Sequence, residues 1–82
     1  MNNNRRHDQR ALRLVLAWLS DPNDPTTTNT VIDEIQAGAS PGREFATLMV
    51  TLTQYAAGFA QEAFGEDQAP DMVATMIEVV MK

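Results

Sequence analysis

The feature that most constrains this chain is residues 45–61, a run without a single charged side chain. Ser40 can cap a helix with its hydroxyl, and Pro41 is tolerated in a first helical turn. Gly65 can adopt the left-handed conformation that ends many helices. These signals predict one long helix over residues 41–64. A surface helix normally carries a charged face, so we expect this one to be covered on more than one side.

Two apolar faces are predicted on this long helix from the spacing of its side chains. The main stripe is formed by Phe45, Leu48, Met49, Leu52, Ala56, Phe59 and Ala63. The second face carries mostly small side chains, which permit close approach of another helix. It is called the small-sided face below and consists of Ala46, Val50, Ala57, Gly58, Gln61 and Phe64.

The rest of the chain predicts three further helices, over residues 8–20, 30–37 and 70–81. Residues 1–7 are polar and aperiodic and predict a flexible basic arm, which leaves 8–82 as a single helical domain. The predicted fold is therefore a small all-α bundle of four helices around the long central helix. The first and last helices should pack on its main stripe, and they would do so through two sets of apolar residues: Leu12, Val15, Leu16 and Leu19, and Met72, Val73, Met76, Ile77 and Val80.

The short length of the chain favours self-association. At 82 residues, 44% of them hydrophobic, a single domain buries a modest core. The chain has no cysteine, so neither disulfides nor thiolate metal sites can reinforce it. We therefore expect a homodimer in which two long helices cross antiparallel through their small-sided faces. Leu14 and Trp18 lie off the main stripe of the first helix and are further interface candidates, because tryptophan is enriched at binding hot spots.

Charge is distributed unevenly along the chain. Residues 1–13 carry Arg5, Arg6, Arg10 and Arg13 against one aspartate, a net +3. Residues 14–81 carry one arginine against ten carboxylates, a net −9, and the terminal lysine brings the chain to −5. A basic head on an acidic body is typical of a nucleic-acid arm, or of a segment that docks on an acidic protein surface.

Little in the sequence predicts catalysis, a metal or a cofactor. His7 is the only histidine and lies in the predicted arm. The turn from Asp21 to Asp24 offers carboxylates but lacks the glycine and terminal glutamate of a calcium loop. No glycine-rich phosphate loop is present. We expect a protein that is not an enzyme. With no apolar run long enough for a membrane span, we also expect it to be cytoplasmic.

Three functions are compatible with these features. The preferred one is a non-enzymatic protein–protein interaction module: a small regulator, adaptor or assembly subunit that binds itself and another protein. An alternative is a nucleic-acid-associated regulator that uses the arginine arm, although the acidic body would repel phosphates. A helix-turn-helix around Gly38 is disfavoured, because its second helix offers only Arg43 for bases and phosphates. Another alternative is an acidic DNA mimic, whose surface carboxylates would include Asp33, Glu34, Glu62, Glu66 and Asp67.

Overall fold

The computed structural model describes residues 3–81, which are helical apart from short connections and contain no strand. The predicted all-α class with four helices is confirmed. The chain divides into two compact units, unit 1 up to Leu52 and unit 2 from Thr53. The helices are α1 (Asn3–Ser20), α2 (Thr26–Gln36), α3 (Pro41–Phe64) and α4 (Ala69–Met81).

Helix α3 has the bounds that its sequence predicts. It begins at Pro41, and the amide of Glu44 donates to the carbonyl of Ser40 at 3.0 Å. It ends before Gly65, which has φ of 85° and whose amide donates to the carbonyl of Gln61 at 2.8 Å. The left-handed glycine therefore closes the helix as expected.

Helix α1 begins at Asn3, five residues before the predicted start at Asp8. Residues 3–7 of the predicted arm are thus helical, whereas Met1 and Asn2 lie outside the described residues. Polar composition suggested an irregular segment, but Arg6 makes an ion pair with Glu44 that ties the first turns of α1 to α3. A tertiary contact of this kind overrides a weak local preference.

Helix α2 also begins early, at Thr26 rather than Thr30. One carboxylate oxygen of Asp24 accepts hydrogen bonds from the Thr26 amide at 3.0 Å and from the Thr26 hydroxyl at 2.6 Å. These bonds satisfy a free amide at the start of the helix. The threonines that the sequence placed in a loop therefore form the first turn.

The core of unit 1 is formed by α1, α2 and the first half of α3. Its buried apolar residues are Ala11 from α1, Val31 and Ile35 from α2, and Leu48 from α3. Helices α1 and α2 form the most closely packed pair. Thr51 is also buried. Its hydroxyl donates to the Thr47 carbonyl at 2.8 Å, so the buried group is satisfied.

The predicted packing of α1 on the main stripe of α3 is wrong for most of the residues named for it. Leu12, Leu16 and Leu19 are exposed, Leu16 at 65%, whereas Val15 is half-buried and lines a groove with Leu52 of α3. The buried side of α1 instead carries Ala11 and Arg10. The small alanine side chain permits the close approach of α2, which a leucine there would prevent.

The prediction that α4 packs on the main stripe of α3 is also wrong for the single chain. Within unit 2, Ala69 is buried, whereas residues 70–81 are all exposed, Val80 at 84%. The apolar arc of α4 spans about 200° at 100° per residue, too wide for one neighbouring helix to cover. Part of the uncharged middle of α3 is likewise exposed, at Met49, Val50 and Phe59. Among the described helices, none is long and apolar enough to cross a lipid bilayer.

Candidate functional site

An arginine–glutamate cluster joins the three helices of unit 1. Arg6, Arg10 and Arg13 are spaced by four and three residues, so they lie on one face of α1. Glu34 from α2 and Glu44 from the first turn of α3 meet this face. These five residues are called the Arg–Glu cluster below.

Arg10 is the centre of the Arg–Glu cluster. It is only 7% exposed, and its guanidinium contacts carboxylates from two helices. Its Nη1 donates to Oε1 of Glu44 at 3.1 Å, and its Nε donates to Oε1 of Glu34 at 3.4 Å. Arg6 Nη2 lies 3.0 Å from the same Glu44 oxygen. One buried arginine therefore links α1 to both α2 and α3.

Arg13 completes the cluster with a two-point contact on Glu34. Its two terminal nitrogens donate to the two carboxylate oxygens, each at 3.2 Å. Bidentate pairs of this kind fix orientation as well as charge. The hydrogen bond from Arg13 is the main cause that holds the pKa of Glu34 below its ordinary value, with Arg10 adding to the effect.

Gly38 provides the space for the carboxylate of Glu44. A Cβ atom at position 38 would collide with Glu44 Oε2 and would lie 3.3 Å from the carbonyl oxygen of Ile35. The absence of a side chain in the α2–α3 connection therefore lets Glu44 reach Arg10.

The remaining polar candidates do not form a metal site among residues 3–81. His7 is half-buried, and its Nδ1 has no hydrogen-bond partner within the described part of the chain. Asp21 accepts from the amide of Asn23 at 3.0 Å, so this carboxylate and that of Asp24 stabilise their own turn. No group of three or more acidic, histidine or cysteine side chains is placed to hold a metal ion in this range.

The residues predicted for a protein interface are placed at or near the surface. Trp18 is 68% exposed, and it lines an open apolar groove of about 260 Å³ with Leu14, Val15, Leu19 and Leu52. Two of the predicted residues, Leu14 and Gly58, are half-buried. The others besides Trp18 are exposed: Ala46, Val50, Ala57, Gln61 and Phe64. Whether a second chain covers them stays a prediction.

Comparison of the chain with protein-family models, with curated proteins and with solved structures finds no match.

From sequence, the four N-terminal arginines are predicted to form one arm without partners in the chain. The structure distinguishes them: Arg6, Arg10 and Arg13 point to glutamates, whereas Arg5 lies exposed on another side of α1. The sequence does contain a signal for the Arg–Glu cluster, because the spacing of the three paired arginines places them on one helix face.

Proposed function

We propose that this chain is a non-enzymatic protein–protein interaction module that acts as a homodimer, with the cytoplasm as its predicted compartment. One observation carries the proposal: large apolar side chains are exposed on helices of both units. Trp18 in α1, Val50 in α3 and Val80 in α4 are each more than half exposed. So many large exposed apolar side chains in a small protein are typical of an interaction site.

The chemistry of unit 2 indicates which second partner would suit it. Every charged residue from Glu62 to Glu78 is a carboxylate, and α4 exposes Met72 and Met76 beside its valines. Methionine side chains adapt to irregular partner surfaces. A protein surface that is apolar at its centre and basic at its edge would be complementary in charge.

The nucleic-acid alternative has less support. Arg6, Arg10 and Arg13 already pair with glutamates of the same chain, so phosphates would have to compete with these contacts. The DNA-mimic alternative needs Glu34 as a surface charge, and this residue is also paired. No contact in residues 3–81 favours either over the interaction module.

Light scattering with analytical ultracentrifugation over a dilution series tests the proposal. The expected result is a dimer at micromolar concentration that dissociates on dilution. A monomer of unchanged mass at the highest soluble concentration would contradict the homodimer.

A further inference from the structure

The side of α1 that faces away from the core forms a continuous exposed surface. Leu12, Leu16 and Leu19 follow one another at spacings of four and three residues, so they stand in one line along the helix. A groove at the N-terminal end of this line is lined by Arg5, Leu12 and Leu16 with neighbouring polar residues. We call the surface from Arg5 to the turn after Ser20 the α1 face.

A second groove continues the α1 face towards the end of the helix. It is lined by Leu16 and Ser20 and reaches the carboxylates of Asp21 and Asp24 in the following turn. Hydrogen bonds from the side chain and amide of Thr26 lower the pKa of Asp24, which keeps this carboxylate charged. Leu16 belongs to both grooves, so one apolar strip joins a basic end to an acidic end.

The charges at the two ends of the α1 face are opposite. The N-terminal groove contains Arg5, Asp8 and Arg13, a net +1, whereas the far groove contains Arg13, Asp21 and Asp24, a net −1. Arg13 borders both grooves and is already paired with Glu34. Arg5 is therefore the arginine of the α1 face that is available for a partner's carboxylate.

This polarity makes the α1 face complementary to itself. In a two-fold dimer each surface patch meets the same patch of the other copy. If two α1 helices cross antiparallel midway between Leu12 and Leu16, each leucine faces the other leucine of the partner copy. At 1.5 Å per residue, Arg5 lies about 13 Å from that midpoint on one side and Asp21 about 10 Å on the other. The side chain of Arg5 is long enough to span the difference between these two distances and reach Asp21 of the other copy.

We propose that the α1 face is the contact between two copies of this chain. Two α1 helices pair antiparallel, with Leu12 against Leu16 and Arg5 of each copy beside Asp21 and Asp24 of the other. The inference depends on the proposed homodimer and specifies its interface. It replaces the crossing of two α3 helices, because the small-sided face of α3 carries no charge that would fix an orientation. A parallel pairing of α1 would place like charges together.

A charge exchange between two variants tests the α1 face. One variant carries Arg5→Glu, and the other carries Asp21→Lys with Asp24→Asn. Asparagine retains the oxygen that accepts from Thr26, so the start of α2 is preserved. In a homodimer of either variant, like charges meet at both ends of the contact. The dimer Kd of each should rise on the order of tenfold or more.

Mixing the two variants restores opposite charges at both ends of the contact. The expected result is a heterodimer with a Kd within a few-fold of the wild-type homodimer, detected by ultracentrifugation with one variant labelled. Circular dichroism of each variant confirms that the helices are intact. A mixture that dimerises no better than the separate variants would overturn the proposal.

A pair of apolar substitutions separates this inference from the proposed function. Leu16→Glu on α1 and Val50→Glu on α3 alter residues of similar exposure, 65% and 57%. The α1 contact predicts that Leu16→Glu is monomeric and that Val50→Glu stays dimeric. The reverse result would overturn the α1 contact and leave the homodimer standing, while a monomeric wild-type chain would overturn both.

Discussion

Arg10 shows how a single side chain can hold three helices together. A buried guanidinium needs partners, because an unpaired charge away from water is strongly destabilising. Here α2 and α3 each supply one carboxylate, Glu34 and Glu44. The apolar core beside it is small, so this polar contact determines much of the relative placement of the helices in unit 1.

Replacing Arg10 with alanine should lower the free energy of unfolding by about 1.5–3 kcal/mol, the range for hydrogen bonds to charged groups. Arg6 and Arg13 would retain one glutamate each, which limits the loss. Arg43→Ala is the matched control, since Arg43 is exposed and its loss should change stability by less than about 0.5 kcal/mol. Urea unfolding of the two variants measures the difference, and equal midpoints would show that Arg10 is not central.

The lowered pKa of Glu34 predicts how the free energy of unfolding depends on pH. Its pKa in the folded chain lies below the ordinary value of 4.5, so folding favours its ionised form. This contribution is complete above pH 4.5 and is lost as the pH falls through the lower folded-state pKa.

The variant Glu34→Gln should be less stable at neutral pH and should lose less stability on acidification than the wild type. Thermal unfolding between neutral pH and pH 3 measures the slope. Glu78→Gln on exposed α4 is the control and should keep the wild-type slope. If the stability of Glu34→Gln falls with pH in parallel with that of the wild type, Glu34 does not contribute to the loss of stability in acid.

At the scale of helices, local signals located α3 but not the starts of α1 and α2. Pro41 and Gly65 act through their own backbone conformations, so the sequence displays them directly. The first turns of α1 carry Arg6, which pairs with Glu44, a residue 38 positions away. The first residue of α2, Thr26, donates to Asp24, a residue predicted only as part of a turn.

Periodicity did not show which side of α1 is buried. Leu12, Leu16 and Leu19 form the more hydrophobic line along the helix, yet they are exposed. The buried side carries Ala11 and Arg10, which pairs with Glu34 and Glu44. Hydrophobicity alone therefore selected the wrong face.

Gly65→Ala should destabilise the end of α3. Alanine at a φ of 85° is strained by roughly 1–2 kcal/mol, although no atom crowds the position. Gly58→Ala is the control, and it is expected to change stability in the opposite direction. Gly58 lies inside α3 with nothing within 4 Å of an added Cβ, so alanine should stabilise the helix by about 0.5–1 kcal/mol.

Urea unfolding and circular dichroism of both glycine variants measure whether Gly65→Ala lowers the stability and Gly58→Ala raises it. A stabilising Gly65→Ala would contradict the left-handed helix end. If Gly58→Ala raised helix stability but weakened the dimer, the small-sided face of α3 would belong to the interface, as the sequence predicts and the α1 contact does not.

At the scale of the whole molecule, the proposed homodimer links stability to concentration. If folding and association are coupled, the Tm of the wild-type chain should rise as the protein concentration rises. The monomeric Leu16→Glu variant should show a Tm that does not change with concentration. This comparison uses the same variant as the interface test and measures a property of the complete chain.

The class of the protein was predictable from sequence, whereas its site was not. Helical spacing and the absence of strand patterns gave an all-α protein of four helices. The Arg–Glu cluster depends on pairs of residues 21 to 38 positions apart, such as Arg13 with Glu34 and Arg6 with Glu44. Composition and spacing within one helix do not encode which distant carboxylate meets which arginine.

The order of charges along the chain has a consequence for biosynthesis. Arg6, Arg10 and Arg13 are all translated before Glu34, and Glu44 comes last. Until residue 44 has left the ribosome, the guanidinium of Arg10 can satisfy only part of its final contacts. A nascent chain that contains α1 and α2 can already pair Arg10 and Arg13 with Glu34, and the arrival of Glu44 supplies the remaining contacts of Arg10 and Arg6.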